Sequence, residues 1–182
     1  MDSKKLLVVS DSHGNTKALK TIFNWAKEKT PPNDTICATV FLGDGLKDLQ
    51  TASAETGFYC NWAQIRGNND FDIQEADTAV FDFVNYRFFI CHGHRYNIYG
   101  GYQALVSAAR YNGANVVLFG HLHVPIKKTL NNTLLINPGS VSFPRSNKGT
   151  SFAVIECKEG QKLKVEFYGI DDNGQINGIK VP

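Results

Sequence analysis

The chain has too few cysteines, and spaces them too widely, for a thiol-based scaffold. Cys37, Cys60, Cys91 and Cys157 include no C-x-x-C pair, which excludes a zinc ribbon and a thioredoxin-type redox motif. Three of them lie in apolar runs (ICATVF, RFFIC, FAVIEC), where a thiol behaves as a small buried hydrophobe. Four cysteines in 182 residues therefore point to reduced thiols in the cytosol, not to a disulfide framework. Long apolar runs are missing as well. The longest near the N-terminus is LLVV, short of the about 7–15 residues of a secretory core and the about 20 of a membrane span. The expectation is a soluble cytoplasmic protein with no membrane partner. Nor is there an excess of either charge: 19 Lys and Arg face 17 Asp and Glu, a net +2. That balance leaves no basic tract for extended nucleic acid and no acidic tail. Histidine is scarce too. All five histidines, His13, His92, His94, His121 and His123, sit in short motifs beside Asp, Gly or another His.

Apolar residues make up 42% of the chain, enough for a sizeable core. Residues 5–10 (KLLVVS) read as a strand buried on both faces. Asn15 is placed to cap a helix over 16–29, whose Leu19, Ile22, Phe23 and Ala26 share one face, and Pro31-Pro32 ends it. A second buried strand spans 36–42, followed by a short helix over 45–54 and a third strand at 58–66. The pattern then changes. Segments 79–84 and 87–91 form a hairpin around Asn85-Tyr86. A helix over 99–112 turns Ala104, Leu105, Ala108 and Ala109 inward and stops at Gly113. Residues 116–119 are another buried strand. Two further pairs follow, 125–129 with 134–137 around Asn131-Asn132, and 151–157 with 163–170. No repeat or Pro/Ser-rich linker interrupts this order, so residues 1–182 read as one α/β domain, two sheets face to face with helices outside.

Five polar clusters follow apolar strands: Asp11-Ser12-His13, Gly43-Asp44, Gly67-Asn68-Asn69-Asp70, His92-Gly93-His94 and Gly120-His121-Leu122-His123. Ligands of open α/β sheets gather outside the carboxyl ends of strands, so such clusters converge in space. Taken singly, Asp11 or Ser12 serves equally as a helix-terminal residue, and Gly43-Asp44 and Gly67–Asp70 read as turns. His92 and His94 fit a strand end. His121 and His123, at i and i+2 in extended chain, point to one face. Together the set offers Asp, His and Asn without cysteine, the ligand chemistry of Mn, Fe or Zn. So many ligands exceed one ion's need and suit two ions about 3.5–4 Å apart, bridged by a carboxylate.

The ordered series D-x-H, G-D, G-N-x-D, H-G and G-H-x-H resembles that of the calcineurin-like metallophosphoesterases. Short spacing and the Asn137-Pro138-Gly139-Ser140 segment with Pro144-Arg145 resemble the superfamily's small bacterial and archaeal phosphodiesterases, relatives of the retromer subunit. The resemblance runs from about Lys5 to Tyr168. It implies a two-layer β-sandwich flanked by helices, four layers in all, with metals at one edge. By motif, it implies that Asp11, His13 and His123 hold one divalent ion and Asn68, His92 and His121 a second, with Asp44 bridging. Mn²⁺ is the first expectation, with Ni²⁺, Zn²⁺ or Fe as alternatives. The implied reaction is hydrolysis of small phosphodiesters by a metal-bridging hydroxide. Arg145 would fork onto the phosphate, or be an ordinary exposed loop arginine. Many relatives have G-N-H-[DE], where the histidine protonates the leaving group. Here Asn69 occupies that position and cannot do so. His94 is then the remaining candidate acid, or a residue that only orients the site. The resemblance also allows a homo-oligomer. Two other readings are a protein-binding scaffold of the same fold and a nuclease or cyclic-nucleotide hydrolase.

Overall fold

The structure, a computed structural model, describes residues 3–28, 36–59, 61–71 and 73–181. Strand β1 (Lys4–Val9) alternates faces as a pleated strand must: Leu7 and Val9 face one way, Leu6 and Val8 the other. Leu7 and Val9 pack against α1 (Thr16–Glu28), whose Leu19, Ile22, Phe23 and Ala26 are buried as their spacing requires. Asn15 begins that helix, its Oδ1 accepting the Ala18 N–H at 3.1 Å. The expected terminator, Pro31-Pro32, lies outside the described residues.

Strand β1 pairs in parallel with β2 (Ile36–Phe41), which pairs in parallel with β3 (Asn61–Gln64). Helix α2 (Leu46–Thr56) links β2 to β3. Strands β9 (Phe152–Cys157), β10 (Lys164–Ile170) and β11 (Ile176–Ile179) extend the sheet antiparallel on the other side of β1. The first sheet therefore runs β11-β10-β9-β1-β2-β3. The second contains β4 (Thr78–Phe83), β5 (Tyr86–Cys91), β6 (Val116–Phe119), β7 (Pro125–Leu130) and β8 (Thr133–Pro138), in the order β4-β5-β6-β8-β7. Its inner face, Phe88, Ile90, Val116, Leu118 and Ile136, meets Leu6, Val8, Val40 and Ile155 of the first sheet. Its outer face, Phe89, Cys91, Val117, Phe119 and Leu135, is covered by α3 (Gln103–Tyr111). The result is the expected sandwich, helix layers on both outer faces.

Several boundaries differ from the sequence reading. The first hairpin turns at Val84-Asn85 and not Asn85-Tyr86, because Tyr86 already pairs with Phe83. The third strand is shorter than 58–66. The helix expected over 99–112 starts later, α3 beginning at Gln103 after a non-helical stretch through Gly100-Gly101; a separate 3-10 turn, His94–Tyr96, lies before the expected range. In α3 Leu105, Val106 and Ala109 are buried, whereas Ala104 is exposed. Strand β11 has no apolar alternation (INGI) and was not anticipated. By contrast, Asn131-Asn132 turns the β7–β8 hairpin with both residues at positive φ, as a tight hairpin turn needs.

Candidate metal centre

Six strand ends face one edge of the sandwich, those of the parallel strands β1, β2, β3, β5, β6 and β8. The loop after each of the first five carries one polar cluster, and β8 is followed by the 139–145 segment. Backbone hydrogen bonds stitch these loops together: Asp11 N–H to Gly43 O, His13 N–H to Asp44 O, and Gly120 N–H to His92 O, all 3.0–3.1 Å. Gly67 and Gly120 are required by close approach. A Cβ at Gly67 would collide with the Asp44 carboxylate, and one at Gly120 with Ser10 Oγ and Asp11 Oδ2. Asp11, His13, Asp44, His121 and His123 all hold positive φ, between 42° and 68°. L-residues rarely adopt that region, and such strain gathers at functional sites.

Asp11 is fully buried, and its two oxygens differ. Oδ2 accepts from Ser10 Oγ at 2.5 Å and from the His121 N–H at 3.1 Å. Oδ1 accepts no hydrogen bond, although His123 Nε2 lies 3.1 Å away, His13 Nε2 3.7 Å and His92 Nε2 3.8 Å. Asp44 Oδ2 lies 3.3 Å from His92 Nε2 and 3.6 Å from His13 Nε2. Two ligand groups result, Asp11 with His13 and His123, and Asp11 with Asp44 and His92. Burial pushes both carboxyls up, but the surrounding imidazoles outweigh it. His123, His13 and His92 hold Asp11 well below the usual carboxylate range, and His92 with Asn69 lowers Asp44.

The histidines are oriented from behind. His92 Nδ1 lies 2.6 Å from Leu42 O and His123 Nδ1 2.6 Å from Phe143 O. A carbonyl can only accept, so each Nδ1 carries the proton and each Nε2 presents its lone pair to the cluster. His92 Nε2 is buried without a hydrogen-bond partner, as is Asn68 Oδ1. Asp11 Oδ1 and His92 Nε2, orphaned and 3.8 Å apart, are what a cation would satisfy. The donor set therefore fits divalent metal. The Asp11 carboxylate raises the pKa of His13. For His92 burial works downward, yet Asp44 and Asp11 prevail and raise it.

The remaining motif residues fall around this set. His121 is half-buried beside it, its ring centroid 5.2 Å from that of His92, and burial lowers its pKa. Asn69 grips Asp44 twice, its N–H donating to Oδ1 at 2.7 Å and its Nδ2 to Oδ2 at 2.6 Å. His94 lies 5.5 Å from His92, ring to ring, with Nδ1 buried and unpartnered and a pKa lowered by burial. Arg145 is exposed; its N–H donates to His123 O at 3.0 Å and its Nη1 to Tyr99 Oη at 3.2 Å.

Four supporting residues went unread in the sequence. Asp70 accepts the N–H groups of Asp44, Gly45, Leu46 and Gly67 at 2.7–2.9 Å, fixing two ligand loops and capping α2 from outside. Asp48 accepts from Ser12 Oγ and the Gly14 N–H. Ser140 Oγ donates to Asp11 O, and Asn137 Nδ2 to Gly120 O. Asp70 and Asn137 were visible as motif members. Their role depends on which N–H groups and carbonyls the fold delivers, which no spacing reveals.

Residues 5–160 match the family model of the calcineurin-like phosphoesterase superfamily domain. The chain belongs to that superfamily. It is 29% identical over 163 residues to the probable metallophosphoesterase YsnB of Bacillus subtilis, spanning 90% of this chain and 89% of that one. Among solved structures it resembles a predicted phosphoesterase from Streptococcus pneumoniae, with TM-score 0.77, 25% identity and 98% of each chain covered. The fold is also that of a Vps29 variant from Entamoeba histolytica, with TM-score 0.74, 19% identity and 98% and 99% coverage. Phosphoesterases of this superfamily use divalent metals, in keeping with the ligand groups here.

Proposed function

We propose that the chain, as one domain over residues 1–182, is a dimetal phosphodiesterase acting on small phosphodiesters. The observation that carries this reading is the convergence of buried, unpartnered Asp11 Oδ1 and His92 Nε2 with His13, His123 and Asp44. Asn68, also unpartnered at Oδ1, lies in the chain between Gly67 and Asn69, which both contact Asp44. Asp11, His13 and His123 would hold one ion, Asn68, His92 and His121 the other, and Asp44 would bridge. Divalent ions there, Mn²⁺ foremost, supply Lewis acidity toward phosphate oxygens and make a hydroxide nucleophile available near neutral pH.

The chain's own residues do the rest. Nδ1–H groups on His92 and His123 are committed to carbonyls, which keeps both Nε2 atoms basic and aimed inward. Asn69 holds the Asp44 carboxylate in one orientation. Arg145, tethered to His123 and Tyr99, would offer its planar guanidinium to a phosphate oxygen. His94 stands at the edge of the cluster with a free Nδ1 and is our candidate for protonating the leaving oxygen. His94→Ala then slows hydrolysis of poorly activated diesters far more than of p-nitrophenyl diesters, and equal losses on both would remove that role.

No helix among the described residues is long and apolar enough to cross a membrane, and Cys91 and Cys157 are buried thiols. The two thiols support our placing the protein in the cytoplasm. The likeness to Vps29 extends to the fold alone. A scaffold has no need of the buried acceptors found here, so the enzyme reading is preferred. The test is to strip the protein with chelator, then assay bis(p-nitrophenyl) phosphate and p-nitrophenyl phosphate with Mn²⁺, Ni²⁺, Zn²⁺ or Mg²⁺. Restored diester hydrolysis is expected. No activity with any metal, together with no metal-dependent thermal shift, overturns the reading.

A further inference from the structure

Among the described residues seven large hydrophobic side chains are exposed, and three of them border the metal centre: Phe71, Tyr99 and Phe143. Each stands on a different loop. Phe71, 81% exposed, follows Asp70 and lines a cleft of about 250 Å³ with His13, Asp44 and Asn69. Phe143 lies 5.6 Å from the His13 ring and orients His123 through its carbonyl. Tyr99 lies 5.7 Å from the His121 ring and holds Arg145 through its hydroxyl. None of the three belongs to a core cluster, so packing does not account for them. Scattered exposed apolar residues are ordinary, but aromatic rings gathered around one polar site mark a contact surface.

We propose that Phe71, Tyr99 and Phe143 form an aromatic collar that stacks on a planar ring carried by one ester group of the substrate. The substrate class is then a phosphodiester bearing an aryl group or a nucleobase. This inference rests on the phosphodiesterase reading of the metal centre. A phosphate held at that centre leaves its ester groups pointing outward, toward the rim where the rings stand. The cleft is smaller than the roughly 300–1,000 Å³ that encloses a drug-sized ligand. It suits one planar group beside the phosphate and does not suit a polymer, in agreement with the near-neutral net charge. Aromatic platforms bind planar bases without needing hydrogen-bond readout, so the collar selects for a ring and not for one particular ring.

Calorimetric binding to the Mn²⁺-loaded protein tests this, with two matched pairs of ligands. Phenylphosphonate is compared with methylphosphonate, and adenosine 5′-monophosphate with ribose 5-phosphate. In at least one pair the ring-bearing member is expected to bind about tenfold tighter. Preference in the first pair alone identifies aryl esters, and in the second alone, nucleotides. Phe71→Ala, Tyr99→Ala and Phe143→Ala should each reduce the preference, whereas Tyr99→Phe, which keeps the ring, should retain it. Tyr111→Ala, exposed at the end of α3, is the unaffected control, and melting temperatures confirm that every variant is folded. Equal binding within both pairs, with bis(p-nitrophenyl) phosphate still hydrolysed, overturns the collar and leaves the metal centre standing. Absence of both phosphonate binding and hydrolysis overturns the metal centre, and the collar with it.

Discussion

Asp11 shows how a single side chain is divided between structure and chemistry. One oxygen is tied to Ser10 and His121, and the other is left bare at the centre of three imidazoles. The same opposition sets the charge states of the rings. Without metal, His13 and His92 have raised pKa values, while burial lowers those of His94 and His121. The stability given by a raised histidine is complete below its unfolded value of about 6.5 and is lost as pH rises through the folded value. A lowered histidine works the other way, and its contribution is lost as pH falls below about 6.5. The two pairs therefore oppose each other in a melting curve, and ring-by-ring titration resolves them. NMR of the chelator-stripped protein should find His13 and His92 protonating above their ordinary value and His94 and His121 below it. A common midpoint for all four would contradict this electrostatic account.

At the scale of elements, the ligand loops are held by polar side chains whose hydrogen bonds go to the loops themselves. Asp70 is the clearest case, since one carboxylate satisfies four backbone donors at the start of α2 and in the loops bearing Asp44 and Asn68. Asp70→Ala would strand these donors and remove the cap of α2. We expect a loss of about 3 kcal/mol in urea unfolding, together with weaker metal binding. A variant as stable as the parent would show that the loops hold themselves. Elements differ in how far the sequence foretold them. Helix α1 was legible because its cap and its apolar spacing agree. The start of α3 was not, because apolar spacing does not show that Gly100-Gly101, with Gly101 at positive φ, keeps the chain out of the helix until Gln103. Strand β11 is legible only through its partner, since INGI has no pattern of its own and forms by pairing with Phe167–Ile170.

Over the whole molecule, alternate residues of β1 serve two different cores, and that division sets the order of the layers. The buried strands read correctly from sequence because a strand covered on both faces must be apolar throughout. Thiol chemistry reports on the same packing. Burial pushes the Cys157 thiol up to about 12 and that of Cys91 higher still. Neither should be alkylated by iodoacetamide at pH 8 in the native protein, as peptide mapping would show. Modification of either before unfolding would mean that the sheets open. The ligand types and their order were likewise visible in the five motifs. The supporting roles of Asp48, Ser140 and Asn137 were not, since each acts on a partner far away in sequence that only the closed fold brings near.

The central proposal, that the loops after five strand ends assemble two cation sites bridged by Asp44, is tested most directly by calorimetric titration of the chelator-stripped protein with Mn²⁺. The account predicts two equivalents per chain, one on replacing His13 with Ala and loss of tight binding at both sites on replacing Asp44 with Ala. No saturable binding, or a stoichiometry unchanged by either substitution, would contradict it.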